Sequence, residues 1–387
     1  MSTRARRFER PDYWILAMVG ILCIIGVLMV FSSSGIDQSN QNLITKHLMW
    51  LGVGMVALVV MSNVPHQQLR KISVPLLGLS ALLLVWVKLF GTPINGAVRW
   101  IDFGPLSFQP SELLKFALVL YLADWCYSKG EQVRDLSNGF LPFGIILGFL
   151  GGLVFIEPDM GTTLVVFAIG ITMFFAAGAA IRHLLSMFTL AIVGFVLAAL
   201  LEPYRFARVL SFLDPYDPAK QLGQNYHIFQ SLITLGSGGL TGEGLGASRG
   251  KYGWLPEQST DAIFSVWGQE VGFLGAVLMI SLFLVFAWRG FRVARHAPDG
   301  FSSLLATGLT TWVIAQAMIN IGAVSGAIPF TGVPLPFISY GGSSLLITLM
   351  GVGLLLNLSR FTLADRPEPV GTGSSAVRVL RLNKRET

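Results

Sequence analysis

The sequence predicts an all-α fold: a polytopic integral membrane protein with about ten transmembrane helices and a large structured extracytoplasmic loop. Three observations carry that expectation. Hydrophobic residues make up 53% of the 387-residue chain and charged residues 12%, about half the charged share of soluble domains. The apolar residues fall in long runs from residue 13 to residue 358, and no polar stretch between them is large enough for a separate domain. The 27 Lys and Arg residues, which give a net charge of +6, are scattered between the runs. They form no stripe that could follow a phosphate backbone, so nucleic acid is excluded as a partner.

A bilayer-spanning helix needs about 20 mostly apolar residues. Residues 1–12 hold Arg4, Arg6, Arg7 and Arg10 ahead of an apolar stretch. This imitates a signal peptide, but Tyr13 to Phe31 is long enough to span, and an uncleaved first helix is expected. The remaining runs follow near 48–63, 73–90, 110–127, 138–156, 161–180, 184–201, 262–287, 302–327 and 343–358. With the N-terminus inside, 18 of the 27 basic residues fall in cytoplasmic connections and termini, as the bias of short loops requires. Both termini are therefore expected in the cytoplasm: a short segment 1–12, the membrane domain 13–360, and a flexible tail 361–387 containing Pro367, Pro369 and a Gly-Thr-Gly-Ser-Ser stretch.

The outer face then receives residues 91–112, the long loop 202–261 and the turn-rich 328–344. Tyr204, Phe206, Phe212, Tyr216, Tyr226, Phe229, Tyr252 and Trp254 make the long loop too aromatic for a disordered one. A folded loop in the membrane interface fits it better. Cys23 and Cys126 offer neither a disulfide framework nor a thiolate metal site.

Ionisable residues within spans are functional candidates by default. Glu112 and Lys115, three apart, share one helix face and can neutralise each other, either as a structural pair or as part of a site. Asp124, three turns on, is expected at the cytoplasmic interface. Glu157 and Asp159 stand at an outer turn, where Asp159 could cap the next helix. The most loaded segment is 242–261. Thr260 or Asp261 could be a helix cap. Alternatively, Arg249 and Lys251 could hold the phosphates of a lipid while a carboxylate of Glu257 or Asp261 accepts a proton.

Some motif matches lead nowhere. Gly246-Ala-Ser-Arg-Gly250 has the form of a nucleophile elbow, but no preceding strand or His and acid partners accompany it. Gly250-Lys251 lacks the Ser/Thr and first glycine of a P-loop. The five histidines are scattered without zinc-ligand spacing.

Four outer segments, in this order, resemble the SEDS family (shape, elongation, division, sporulation) of FtsW/RodA/SpoVE-type peptidoglycan polymerases. They are Gly96-Ala-Val-Arg-Trp-Ile101 running to Phe108-Gln-Pro-Ser-Glu112 and Lys115; Glu157-Pro-Asp-Met-Gly-Thr162; Trp254-Leu-Pro-Glu through Thr260-Asp261; and Pro334-Leu-Pro-Phe-Ile-Ser-Tyr-Gly-Gly-Ser-Ser344. The resemblance covers residues 13 to 360. Gly246-Ala-Ser-Arg before Lys251 looks closer to the division member than to the elongation member.

The resemblance implies a glycosyltransferase of the bacterial cytoplasmic membrane that polymerises lipid II on the outer face, with undecaprenyl pyrophosphate leaving. Asp261 matches the family's catalytic aspartate. Arg99, Trp100, Glu112, Lys115 and Asp159 match positions of its active cavity, and Arg249, Lys251 and Ser343 are further substrate-binding candidates. A divalent cation, Mg2+ or Mn2+, held by carboxylates could stabilise the leaving pyrophosphate, and no other cofactor is expected. The implied partners are lipid II, a single-span class B penicillin-binding transpeptidase and other division or elongation proteins. Where the family commonly has His before Thr-Asp and Phe after it, this chain has Ser259 and Ala262, and Gln269-Glu270 replaces a Glu-Glu pair. A proton relay through position 259 is thereby in doubt. Two rival classes stay open: a lipid II flippase and a non-catalytic scaffold of the division machinery. The acids Glu112, Asp159 and Asp261 sit at outer ends of spans, which favours the polymerase.

Overall fold

The computed structural model describes residues 10–34, 41–91, 98–103, 106–201, 203–217, 223 and 225–361. The tail beyond 361, most of the segment before residue 13, and Gly96 and Ala97 of the first motif lie outside the described residues.

The chain runs through α1 (Tyr13–Ser34), α2 (Gln41–Asn63) and α3 (His66–Phe90). A hairpin of β1 (Ile101–Phe103) and β2 (Leu106–Phe108) follows. Then come α4 (Pro110–Lys129), α5 (Leu141–Ile156), α6 (Met160–Ala176), α7 (Ile181–Leu201), α8 (Pro203–Leu213), α9 (Tyr226–Ser237), α10 (Ile263–Arg295), α11 (Gly300–Val324) and α12 (Gly342–Ser359). Ten of these helices fall on the ten expected runs, while α8 and α9 occupy the long loop. Among the described residues, seven helices are long and apolar enough to cross a membrane, and α6 and α7 supply shorter apolar ones. This is a multi-pass membrane protein. The charged Glu112, Lys115, Asp124 and Lys129 interrupt the apolar run of α4, although most of that helix is buried by its neighbours.

Several local features depart from the expectation: α2 and α3 each begin about two turns before their expected starts at 48 and 73. The hairpin was not anticipated, because three-residue strands are too short to show an alternating pattern; its ladder sets Ile101 opposite Phe108. Helix α10 continues about two turns beyond the expected end at 287, through Arg289, Arg292 and Arg295. Apolarity marks the depth of the bilayer and gives no signal for where backbone hydrogen bonding stops.

Helices α11 and α12 form the buried centre, with Trp312 and Gln316 fully enclosed. Small residues let backbones approach closely there. A Cβ at Gly353 would come within 2.3 Å of the Leu58 carbonyl oxygen, so α12 lies directly against α2.

Helix α10 is broken at Gly272, whose φ of 75° suits glycine. The break exposes backbone groups that the loop satisfies. Glu243 and Gly244 donate their N–H groups to the carbonyls of Gln269 and Glu270, and the N–H groups of Phe273 and Leu274 donate to Gly239 and Leu240. Irregular backbone at membrane depth persists only with such replacement partners. The exchange fastens residues 239–244 of the long loop to the helix that follows it.

Opposite ends of the bundle differ in chemistry. At one end Asp12 pairs with Arg289 at 2.6 Å and Arg70 with Asp124. At the other end lie residues 99, 159 and 261.

Candidate functional site

Three connections build the site: the lead-in to α6, the end of the long loop, and the segment 325–341 between α11 and α12. Gly161, in the first turn of α6, lies so close to the third of these that a Cβ there would overlap Val333 Cγ2. Gly332, with φ of 72°, presents bare backbone to Asp261; a Cβ at that position would stand 3.1 Å from Asp261 Oδ2. Glycine serves both needs, the close approach and the left-handed conformation.

Asp261 caps no helix. The N-cap of α10 is Ala262, and it has no side-chain cap bond. Thr260 turns the other way, its hydroxyl donating to Glu257 Oε2 at 2.9 Å. The backbone around Asp261 is held instead by three successive carbonyls. Ser259 accepts from Tyr340 N at 2.8 Å, Thr260 from Ser339 Oγ at 2.5 Å, and Asp261 from Asn320 Nδ2 at 2.8 Å. The Asp261 carboxylate itself makes no hydrogen bond among the described residues and is partly exposed. Burial pushes its carboxyl up to about 7, and the negative charges of Glu257 and Asp159 add to the rise while Arg208 and Arg99 oppose it. A carboxylate poised near neutrality, free of structural bonds and facing an open side, is equipped to take up a proton.

Asp159 has the predicted capping role: Oδ1 accepts from Thr162 N at 2.9 Å and Oδ2 from Gln109 Nε2 at 3.2 Å. Gln109 N in turn donates to Ser343 Oγ at 3.2 Å, so Ser343, buried at the start of α12, ties that helix to the lead-in of α4. Arg99 donates from Nε to the Glu157 carbonyl at 2.8 Å and from one terminal nitrogen to the Pro158 carbonyl at 2.5 Å. That leaves part of its guanidinium uncommitted near Asp261. Trp100 beside it is partly exposed. Glu157 is 1% exposed, neither of its carboxyl oxygens has a hydrogen-bond partner among the described residues, and burial pushes its carboxyl up to about 8.

The remaining sequence candidates separate from this cluster. Glu112 and Lys115 are 1% and 0% exposed and pair at 2.9 Å; sealed in this way, they touch no open surface. Lys251 is also buried. Its ammonium donates to Gly246 O and to Ser32 Oγ, and lies 3.5 Å from Glu270 Oε1, so it clasps the loop to α1 and α10. Arg249 is exposed on the loop. A cavity of about 590 Å³ lies beside the cluster, lined by Lys251, Tyr252, Glu257, Gln258, Thr260 and Tyr340 among others. Ser248, the would-be elbow nucleophile, is buried and donates to Gln269 Oε1 at 2.5 Å. Among the described residues no three His, Cys, Asp or Glu side chains come together to hold a metal ion. The described residues therefore do not fit a divalent cation held by protein ligands alone.

Residues 13–363 match the model of the family described as "Cell cycle protein", FtsW/RodA/SpoVE. The chain belongs to this family. Stage V sporulation protein E of Bacillus subtilis (strain 168) is 40% identical over 361 residues, 91% of this chain and 98% of that protein. The probable peptidoglycan glycosyltransferase FtsW of Geobacter sp. (strain M18) is 38% identical, covering 92% and 98%. Among solved structures, a chain of a peptidoglycan synthase complex that coordinates polymerization and crosslinking is similar with a TM-score of 0.76 and 31% identity, covering 90% of this chain and 98% of that one. The rod shape determining protein RodA of Thermus thermophilus gives 0.65 and 29%, covering 90% and 97%.

In this FtsW/RodA/SpoVE chain, the sequence reading passed over three residues that the fold brings to the site. Arg208, on the amphipathic α8, donates to the Phe330 carbonyl at 3.1 Å and its charge reaches Asp261. Gln316 and Asn320, four apart on α11, donate to the carbonyls of Pro334 and Val333 at 3.0 and 2.7 Å. Two amides at helical spacing inside an apolar span were the available signal.

Proposed function

We propose that this protein is a peptidoglycan glycosyltransferase that polymerises lipid II into glycan strands on the outer face of the bacterial cytoplasmic membrane, with Asp261 as general base. The observation that carries the reading is the placement of the Asp261 carboxylate: it is partly exposed, stands against the bare backbone of Gly332, and makes no hydrogen bond among the described residues; burial pushes it up to about 7. The family membership supplies the chemical class, since relatives of similar length are named as peptidoglycan glycosyltransferases.

The reaction needs two things of the chain. The 4-hydroxyl of one lipid-linked disaccharide attacks the anomeric carbon of another, and its proton passes to the Asp261 carboxylate. The bond from that carbon to the pyrophosphate breaks, and undecaprenyl pyrophosphate leaves with the electron pair. An α-linked donor giving a β-linked polymer requires inversion, so one displacement suffices and no enzyme nucleophile is needed. General-base catalysis contributes about 10²–10⁴-fold. The developing pyrophosphate charge falls to Arg99 and Arg208, the two cations whose fields reach Asp261. Arg249 on the exposed loop and Trp100 beside Arg99 are peripheral substrate contacts. Glu112, Lys115, Asp159, Lys251 and Ser343 act by holding the frame. If a divalent cation, Mg2+ or Mn2+, takes part, the substrate's own pyrophosphate would hold it, and it would neutralise charge on the leaving group.

Both termini are cytoplasmic in this reading. The Arg289, Arg292 and Arg295 end of α10 and the Arg70–Asp124 end of α4 face inward, as the basic bias of the connections requires. A single-span class B transpeptidase crosslinks the strands. The likeness to a chain of a synthase complex supports that partner, and the Gly246-Ala-Ser-Arg stretch together with the FtsW relatives supports a role in division. The flippase reading rests on the buried Glu112–Lys115 pair and on Gly/Pro-rich breaks such as Pro329–Gly342; the pair, sealed as it is, supports it poorly. Polymerisation of purified lipid II by the purified chain, with and without its cognate transpeptidase, tests the proposal. Glycan strands are the expected product; lipid II left intact in both reactions would overturn it.

A further inference from the structure

We infer that Asn320 is the positioning residue of Asp261. The inference rests on the reading of Asp261 as general base and adds a residue to it.

Segment 325–341 has no regular secondary structure over its middle, so its buried carbonyls need donors from elsewhere. Successive turns of α11 supply them: Gln316 serves Pro334 and Asn320 serves Val333. An amide placed only for that purpose would need one hydrogen. Asn320 Nδ2 uses its second on the Asp261 carbonyl at 2.8 Å. Two carbonyls around one group require the donor end of the amide, which fixes its orientation. Asn320 Oδ1 is left buried and has no partner among the described residues. That orphaned acceptor identifies the two donated bonds as what the side chain is placed to make.

Few other contacts fix Asp261. Its side chain has no hydrogen bond among the described residues, and its carbonyl is not taken up by α10, whose first turn bonds to Ala262 instead. Asn320 thus joins residue 261 to the same strand of backbone, Gly332–Val333, that the carboxylate faces. The amide sets the depth at which the carboxylate stands beside Gly332, and Gln316, held by Lys115 Nζ at 2.7 Å and Trp312 Nε1 at 3.1 Å, keeps the neighbouring carbonyl in register. Glu112 and Lys115 therefore act on the site from a distance, through Gln316 and Pro334.

The test is steady-state polymerisation of purified lipid II by the full-length chain in nanodiscs, comparing wild type, Asn320→Leu and Asn320→Ser, with turnover counted per folded molecule. A displacement on the order of 1 Å costs about 10²-fold in rate. The expected result is kcat lowered about 10–100-fold in Asn320→Leu, with KM within about threefold of wild type and the pH at which activity rises unchanged. Asn320→Ser, which retains one donor, falls between the two. Wild-type kcat per folded Asn320→Leu molecule, or a loss confined to KM, would overturn the inference. If the Leu variant does not fold, the Ser variant decides on the same criteria. Asp261→Asn is assayed alongside. If it is inactive while Asn320→Leu is fully active, only the positioning role falls; if it is fully active, the base reading falls as well.

Discussion

The ammonium of Lys115 lies 2.9 Å from Glu112 Oε1 and 2.7 Å from Gln316 Oε1, and both charged side chains are closed off from solvent. A charge sealed within a helical bundle is costly unless it has such partners. The pair sits one helix away from the site and reaches it through Gln316, whose amide holds the Pro334 carbonyl.

Lys115→Met leaves the Glu112 carboxylate buried without its cation, and removing one partner of a buried pair costs about 3–5 kcal/mol. Thermal unfolding of the purified variant should show a clearly lowered midpoint. Adding Glu112→Gln should recover part of the loss; a midpoint unchanged in the single variant would mean that the pair is not buried in the protein.

The pH dependence of activity follows from Asp261. A base works when ionised, and this carboxyl is pushed up to about 7, so kcat/KM should rise with pH through about 7 and level off above it. Glu257→Gln removes a like charge that favours the protonated form, so the rise should move to lower pH. Arg99→Ala removes a cation that favours the ionised form, so the rise should move to higher pH. Profiles of both variants that superimpose on wild type would separate the activity from this carboxyl.

Glu157 makes a prediction about stability. Its carboxyl is raised from 4.5 to about 8 by burial, with Asp159 adding to the rise. A raised folded-state value means that the group's contribution is fully present below about 4.5 and is lost as pH rises through about 8. Wild-type stability should therefore decline across that window more than the stability of Glu157→Gln, which carries no titrating proton. Parallel unfolding curves at pH 5 and pH 9 for the two proteins would contradict this.

The orientation can be read by cysteine labelling. Ser237, exposed at the end of α9, should react with an impermeant reagent applied to intact cells when changed to Cys, and Ser374 in the tail should not. The opposite pattern would invert the proposed topology.

The sequence made much of the bundle legible because burial in a bilayer is written in the length of apolar runs. All ten runs became helices, and the i,i+3 spacing of Glu112 and Lys115 announced their pair. The cap at Asp159 was readable from its place before an apolar run. The same local logic left Thr260 and Asp261 open as caps, and there it failed. Whether a carboxylate caps depends on the turn that precedes it, and Glu257, with φ of 49°, accepts from Thr260 N and Ala262 N and turns the chain away from that geometry. Lys251 looked like a phosphate ligand because its partners Ser32 and Glu270 lie 219 and 19 residues away in sequence. Asn320 was hidden for a similar reason: its meaning comes from two carbonyls at 261 and 333, which only the folded chain brings together.

The measurement that bears most directly on the account is lipid II polymerisation by Asp261→Asn, with lipid II translocation followed in the same proteoliposomes. Because Asp261 caps nothing, the amide costs little structure and removes the proton acceptor. The account predicts a folded, membrane-inserted protein that binds its transpeptidase and makes no glycan strands. An Asp261→Asn protein that polymerises at the wild-type rate yet no longer moves lipid II across the membrane would contradict it and establish the transporter in its place.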